Sequence, residues 1–464
     1  EHSKRRQQEM KKRIAIITAL LLFAFVTAGV KYISAFPVIP KPEGEGALSW
    51  DLKLGSPYVL KGGEREMLLN IKLEGKEAEL RERTPVNLVL VIDRSGSMSD
   101  RGKMEYAKEA ARRIVGLLGK DDRLAVVAYS TDVEVLLPAR KATDKEAAVS
   151  AINSLYPTDS TNLSGGLEKG IAQLKSLERG GYVNRVILLS DGLANAGITD
   201  PSGLGRIASR ASEGGIYVTT MGLGADYDEN LMMGLAERGA GNYYFIESPN
   251  QLAGIFEKEF GQMAAAVARD TVIKLALAPG VRIDEVYGYE YSSGEGSAEI
   301  KLGDFFGGQE RDILVRLTVP AGAGGKHELA AASLSYGDLL RQGSAVSSAR
   351  TLAYEVTSDA DKVAAGEDES VRSRQVSVDA ASVYRKAAVA YEGGDAEGAR
   401  TYLEDAYDSI VELNKTAYKN ERTVKQEHDL KEAVRRMAAP PAPSSEEGRV
   451  IIKGQKAGAR EAQK

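Results

Sequence analysis

Two predominantly apolar runs constrain this chain most: VNLVLVID at Val86–Asp93 and VNRVILLSD at Val183–Asp191. Neither alternates with the period of a strand that has one wet face, so each must be covered on both sides. Helices on both faces of a sheet provide that cover, and the flanking sequence supplies them. Met104, Ala107, Ala111, Ile114 and Leu118 recur at helical spacing. Lys145–Leu155, Leu163–Leu177, Leu204–Glu213, Asp228–Arg238 and Asn250–Phe260 read the same way. RLAVVAYS, VEVLLPA, GIYVTTMGLG and GNYYFI are further strands. Strand–helix alternation over 86–262 predicts an α/β domain with a doubly wound, mostly parallel, Rossmann-like sheet.

After this domain the strands return without helices. TVIKLALA, VRIDEVYGYEY, SAEIKLG, RDILVRLTVP, HELAAASLSY and TLAYEV, within 270–357, carry a β-sandwich pattern. The short strands in 48–85 are too few to bury a face alone. They are expected to complete the sandwich, which makes the α/β domain an insertion in it. Residues 359–438 turn helical, with a stop at Gly393-Gly394 and a stripe of Ala396, Ala399, Leu403, Ala406, Ile410 and Leu413. The phrase AYEGGDAEGARTYLEDAY resembles a single tetratricopeptide-like hairpin, which cannot stack as a solenoid and reads as a packing or oligomerisation element. Residues 439–464, rich in Pro, Ser and charge, are expected to be disordered.

The N-terminus carries a basic tail, 1–13, followed by an apolar stretch, 14–36, that is long enough to cross a bilayer. The positive-inside rule then places the tail in the cytoplasm and everything after the 37–47 linker in the periplasm or outside the cell. The alternative is a signal peptide cleaved near Ser34-Ala35, followed by secretion. Composition removes several chemistries. With no cysteine there is no disulfide, thiolate metal site or cysteine nucleophile, and His2, His327 and His428 lie too far apart in sequence to suggest a zinc site. A net charge of −5 provides no basic field for nucleic acid.

What remains is oxygen chemistry at strand ends. Asp93, Ser95 and Ser97 stand two apart where the first buried strand stops, and Gly96 lets the backbone curl. The loop Tyr156–Leu167 offers Thr161 just before a helix, and Asp191 closes the second buried strand. In an open α/β sheet such loops leave the same edge, where ligands bind. Two carboxylates and three hydroxyls are hard donors suited to Mg²⁺, Mn²⁺ or Ca²⁺, and they leave a bound ion electrophilic. Asp and Ser also cap turns and helices, which is the alternative use of these residues.

Asp-x-Ser-x-Ser at 93–97, followed by Thr161 and Asp191 in this order and context, resembles the von Willebrand factor A domain with its metal-ion-dependent adhesion site. The phrases VIDRSGSMS, LLSDGLANAG and MGLGADYDENLMMGLAERGAGNYYFI resemble bacterial members, over about Val86 to Phe260. The resemblance implies that Asp93, Ser95, Ser97 and Thr161 bind the metal directly or through water, and that Asp191 acts through a bridging water. It implies Mg²⁺ foremost and a protein partner offering Asp or Glu to the ion. The loop departs from the family pattern at Asp159-Ser160-Thr161, where Ser160 competes as donor and Asp159 adds a carboxylate. No nucleophile–base pair is evident, so an interaction module is expected in place of an enzyme. Two alternatives stay open: a regulatory subunit of a separate ATPase or other assembly, and metal-assisted hydrolysis with Asp159 as base.

Overall fold

The computed structural model describes residues 46–77, 83–158, 160–178, 180–294, 296–416 and 419–463. The predicted membrane anchor, 14–36, and Asp159 lie outside these residues. Among the described residues no helix is long and apolar enough to cross a membrane.

Three strands come first among the described residues: β1 (Leu48–Leu54), β2 (Tyr58–Leu60) and β3 (Glu64–Gly75). The inserted domain then runs through β4 (Val86–Asp93), α1 (Lys103–Leu117), β5 (Arg123–Tyr129), β6 (Val133–Lys141), α2 (Lys145–Asn153) and α3 (Leu163–Lys175). It continues with β7 (Val183–Ser190), α4 (Pro201–Glu213), β8 (Tyr217–Leu223), α5 (Glu229–Arg238), β9 (Ala240–Ile246) and α6 (Leu252–Ala264). Its six strands lie in the order β6-β5-β4-β7-β8-β9, parallel except for the β5–β6 pair. Every residue of β4 and β7 is buried. Leu88, Leu90 and Ile92 of β4 face a core with Ile114, Ile152 and Phe256 from α1, α2 and α6. Val89 and Val91 face the opposite core, with Leu167, Leu204 and Leu235 from α3, α4 and α5. The period of two in a strand thus divides one apolar run between two helix layers. Gly170 permits the close approach of α3, since a Cβ there would come within 2.5 Å of Val91.

The chain returns to β-structure with β10 (Ala266–Leu277), β11 (Arg282–Val286), β12 (Tyr291–Gly294), β13 (Ser297–Phe306), β14 (Glu310–Pro320), β15 (Gly325–Asp338) and β16 (Ser344–Thr357). One sheet has the order β1-β3-β14-β11 and the other β12-β13-β10-β15-β16-β2. β3 pairs antiparallel with β14 from Glu74↔Glu310 to Glu64↔Pro320. The early strands therefore complete the later sheet across the insertion, as the sequence suggests. Leu69, Ile71, Leu73, Ile273, Leu275, Ile313 and Leu317 fill the space between the sheets.

A short helix, α7 (Ala360–Ala365), leads to α8 (Glu369–Glu392) and α9 (Ala396–Asn414), the expected hairpin, followed by α10 (Glu421–Arg436). The tail corrects the sequence reading: Glu446–Gln463 is an 18-residue helix, α11, where disorder is expected. Local composition misleads because the partners of this helix are distant. Ile452 joins the core of α8, α9 and α10. Arg449, Lys453, Lys456 and Arg460, at helical spacing, meet Asp226, Glu229 and Glu237 of the inserted domain.

Candidate metal centre

In the sheet order β4 has β5 on one side and β7 on the other, so the connections leave in opposite directions from this pair. The crevice outside the carboxyl ends of such strands is where ligands bind in open α/β sheets. Asp93 ends β4, and Asp191 directly follows β7. Both side chains are fully withdrawn from solvent.

Hydrogen bonds tie the predicted donors into one cluster. The Ser95 backbone N–H donates to Asp93 Oδ1 (2.8 Å), and Ser190 Oγ donates to Asp93 Oδ2 (2.8 Å). Tyr129 at the end of β5 adds a longer contact to the same oxygen, at 3.3 Å. Ser95 and Ser97 hydroxyls lie 3.2 Å apart, and Ser97 Oγ donates to Asp191 Oδ1 at 2.7 Å. Thr161 belongs to the same group through Gly192. A Cβ at Gly192 would sit 3.4 Å from Ser97 Oγ and 3.7 Å from Thr161 Oγ1, so this position borders both hydroxyls. Asn195 fastens the second and third loops: its Oδ1 accepts from the Thr161 N–H (2.8 Å) and its own N–H donates to the Thr161 carbonyl (3.1 Å). Ser160 is only half-buried, and its N–H donates to Thr131 Oγ1 at 3.4 Å, whereas Thr161 is buried in the cluster.

The electrostatics separate the two acids. Every hydrogen-bond partner of Asp93 is neutral, and burial, reinforced by Asp191, pushes its carboxyl up to about 6. Asp191 instead has a cation: Lys103, the first residue of α1, donates its Nζ to Asp191 Oδ2 at 2.6 Å. Lys103 is not evident in the sequence, where a lysine at a helix start reads as solvated. Two left-handed residues, Arg101 and Gly102, turn the chain inward just before it. With Lys103 counted, the cluster carries one net negative charge, held by Asp93.

This donor set fits a hard divalent cation. Among the described residues no three His, Cys, Asp or Glu side chains gather to hold a metal; the cluster here offers two carboxylates and the hydroxyls of Ser95, Ser97 and Thr161. A dication beside Asp93 would offset its buried charge and leave the cluster net positive, hence receptive to an anion.

Comparison with known proteins agrees with this geometry. Residues 87–258 match the family model described as the von Willebrand factor type A domain. The chain is 30% identical over 263 residues to the Escherichia coli (strain K12) protein YfbK, a match covering 55% of this chain and 46% of that protein. The chain thus spans about half the length of that curated relative. Among solved structures, a von Willebrand factor type A protein from Catenulispora acidiphila superposes with a TM-score of 0.68 at 19% identity, covering 85% of this chain and 91% of that one. The ArnB paralog VWA2 from Sulfolobus acidocaldarius gives a TM-score of 0.62 at 19% identity, covering 90% of this chain and 99% of that one. At such identity the structural likeness establishes the fold alone. Family match, sheet order and strand-end donors converge, and residues 87–258 are a domain of the von Willebrand factor type A family.

Proposed function

We propose that this chain is a divalent-metal-dependent protein-interaction module that captures a carboxylate from a partner protein. The observation that carries the reading is the convergence of Asp93, Ser95, Ser97, Thr161 and Asp191 at one end of the sheet, linked by Ser97–Asp191 and by the border that Ser97 and Thr161 share at Gly192. Asp93, Ser95, Ser97 and Thr161 would hold the ion, with Asp191 acting through a bridging water, and Mg²⁺ suits these oxygens best. When bound, the ion supplies an electrophilic position open to an Asp or Glu of the partner. The chain's own residues keep that position selective: Lys103 offsets Asp191, and the Asp93 partners are neutral donors. The proposal assigns no catalytic residue. It places the module on the outer side of a membrane, tethered by the apolar run 14–36, and this element of the reading rests on sequence alone.

The test is Asp93→Ala in the full chain. Asp93 is the carboxylate without a cationic partner, so its loss should remove the rise in melting temperature that Mg²⁺ gives the wild type, with circular dichroism unchanged. An undiminished Mg²⁺-dependent rise in the variant would falsify the assignment.

A further inference from the structure

We infer that the cleft between α11, the inserted domain and the sandwich is a binding site for a small uncharged heterocycle of the nucleobase class, taken up as the base or its nucleoside. None of the metal-crevice donors borders this cleft, so the site is independent of the metal-dependent reading above.

The cleft has a volume of about 1190 Å³ and is walled by α10 and α11, by β9 and the end of α5, and by residues of β12, β13 and β14. Space of that size accommodates an organic ligand. On one side α11 presents a face nearly without side chains. Gly454, Gly458 and Ala462 stand four apart along the helix, and all three border the cleft. A Cβ at Gly454 would meet nothing nearer than Phe245 Cε1 at 3.9 Å, and one at Gly458 would lie 3.1 Å from Tyr384 Cε1. Both rings also line the cleft, from β9 and α8. A flat strip of helix bordered by aromatic side chains admits a planar ring and offers it faces to stack on.

The same wall carries an amide with nothing to bind. Gln455 lines the cleft and is only 3% exposed. Among the described residues neither its Nε2 nor its Oε1 has a hydrogen-bond partner. Further along α11, Arg460 directs Nη1 to the Met233 carbonyl and to Glu237, while its buried Nη2 has no partner among the described residues. Buried polar atoms left in that state are destabilising until something pairs with them. A carboxamide turned toward the cleft pairs edge to edge with a ring that carries a donor beside an acceptor, as Gln and Asn do with adenine. The free Arg460 N–H then takes one more acceptor, a ring carbonyl or a sugar hydroxyl.

Charge on the walls sets the rest of the ligand. Among the described residues bordering the cleft, acids are as numerous as cations. Several pair off: Arg238 with Glu290, Lys425 with Asp429 and Glu461, and Arg185 with Asp304. A polyphosphate would meet as much repulsion as attraction there, which favours the uncharged base or nucleoside.

The experiment titrates the full chain, in mild detergent with EDTA present, with adenosine, guanosine, cytidine and uridine and with the triphosphate of each. Calorimetry and ligand-observed NMR read the binding. The expected result is saturable binding of at least one nucleoside, no weaker than that of its triphosphate. Gln455→Leu keeps a side chain of similar size and removes the unpartnered amide. It should fold with an unchanged or higher melting temperature and bind that nucleoside about tenfold more weakly. Gly454→Leu adds a side chain where the wall is open and favours the helix, so it should abolish binding with the fold intact. No saturable binding of any nucleoside up to millimolar concentration would overturn the inference and leave water as the occupant of the cleft. Binding that both variants leave unchanged would overturn it as well. A triphosphate that binds more than about tenfold tighter than its nucleoside would overturn the assignment of an uncharged ligand. With EDTA present throughout, metal-dependent capture stands or falls separately.

Discussion

Lys103→Met keeps the length and apolar stem of the side chain and removes only the ammonium that faces Asp191. The two charged groups are 2.6 Å apart, with side chains 8% and 0% exposed. At an effective dielectric of about 20, unit charges at that distance attract by about 6 kcal/mol. Desolvation of both groups on folding offsets much of this, and deleting one partner of a buried pair costs about 3–5 kcal/mol. The variant leaves Asp191 and Asp93 together without a counter-ion, so the loss should be greatest in EDTA. A divalent ion restores positive charge beside them and should return much of the lost stability. Two measurements check this: urea unfolding at 25 °C with and without saturating Mg²⁺, and titration calorimetry of Mg²⁺ binding. The expected result is a deficit of about 3–5 kcal/mol in EDTA that shrinks in Mg²⁺. The variant should also bind Mg²⁺ at least about tenfold more tightly than wild type, because no ammonium competes for Asp191. Equal stability of variant and wild type in EDTA, or a deficit that Mg²⁺ leaves untouched, would refute the charge balance.

Three further predictions concern how the domain is held in place. Arg185 on β7 donates to Asp304 of β13 at 2.7 Å and approaches Glu259 of α6 at 3.8 Å, all buried. Arg185→Met should cost about 3–5 kcal/mol and lower the melting temperature in scanning calorimetry, by stranding those acids; a wild-type thermogram would sink this account. Glu229 accepts from both Lys453 and Lys456 of α11, and these bonds carry its carboxyl down to about 2 against the opposing effect of burial. Its folded value lies below its unfolded one, so its contribution is fully present above about pH 4.5 and fades as pH falls toward 2. Hydrogen exchange in α11 should therefore accelerate across that window. Glu229→Gln should release the helix to trypsin at neutral pH, and a protease-resistant tail in that variant would count against the clamp.

The inserted domain was legible because β4 and β7 are apolar on both faces, and only a sheet between two helix layers accommodates such strands. The clustering of Asp93, Ser95, Ser97 and Asp191 was legible for a related reason: they sit at strand ends, where chain topology brings them together. The resemblance favours Thr161 over Ser160, and burial separates the two in the same sense, although both precede the same helix. Lys103 was invisible because its role depends on the left-handed turn at Arg101 and Gly102, which aims an ordinary lysine into the crevice.

The tail was misread for a deeper physical reason. A cationic helix with few apolar residues is marginal by itself, and its composition is that of a disordered segment. Its stability comes from packing against α8 and from acids more than two hundred residues earlier, at Asp226, Glu229 and Glu237. The buried lysines Lys453 and Lys456 make Glu229 the centre of that attachment, whereas the exposed Arg101–Glu446 pair near the crevice is worth little by itself. The ion pairs that join α11 to the inserted domain are therefore strongest at α5 and weakest at Arg101.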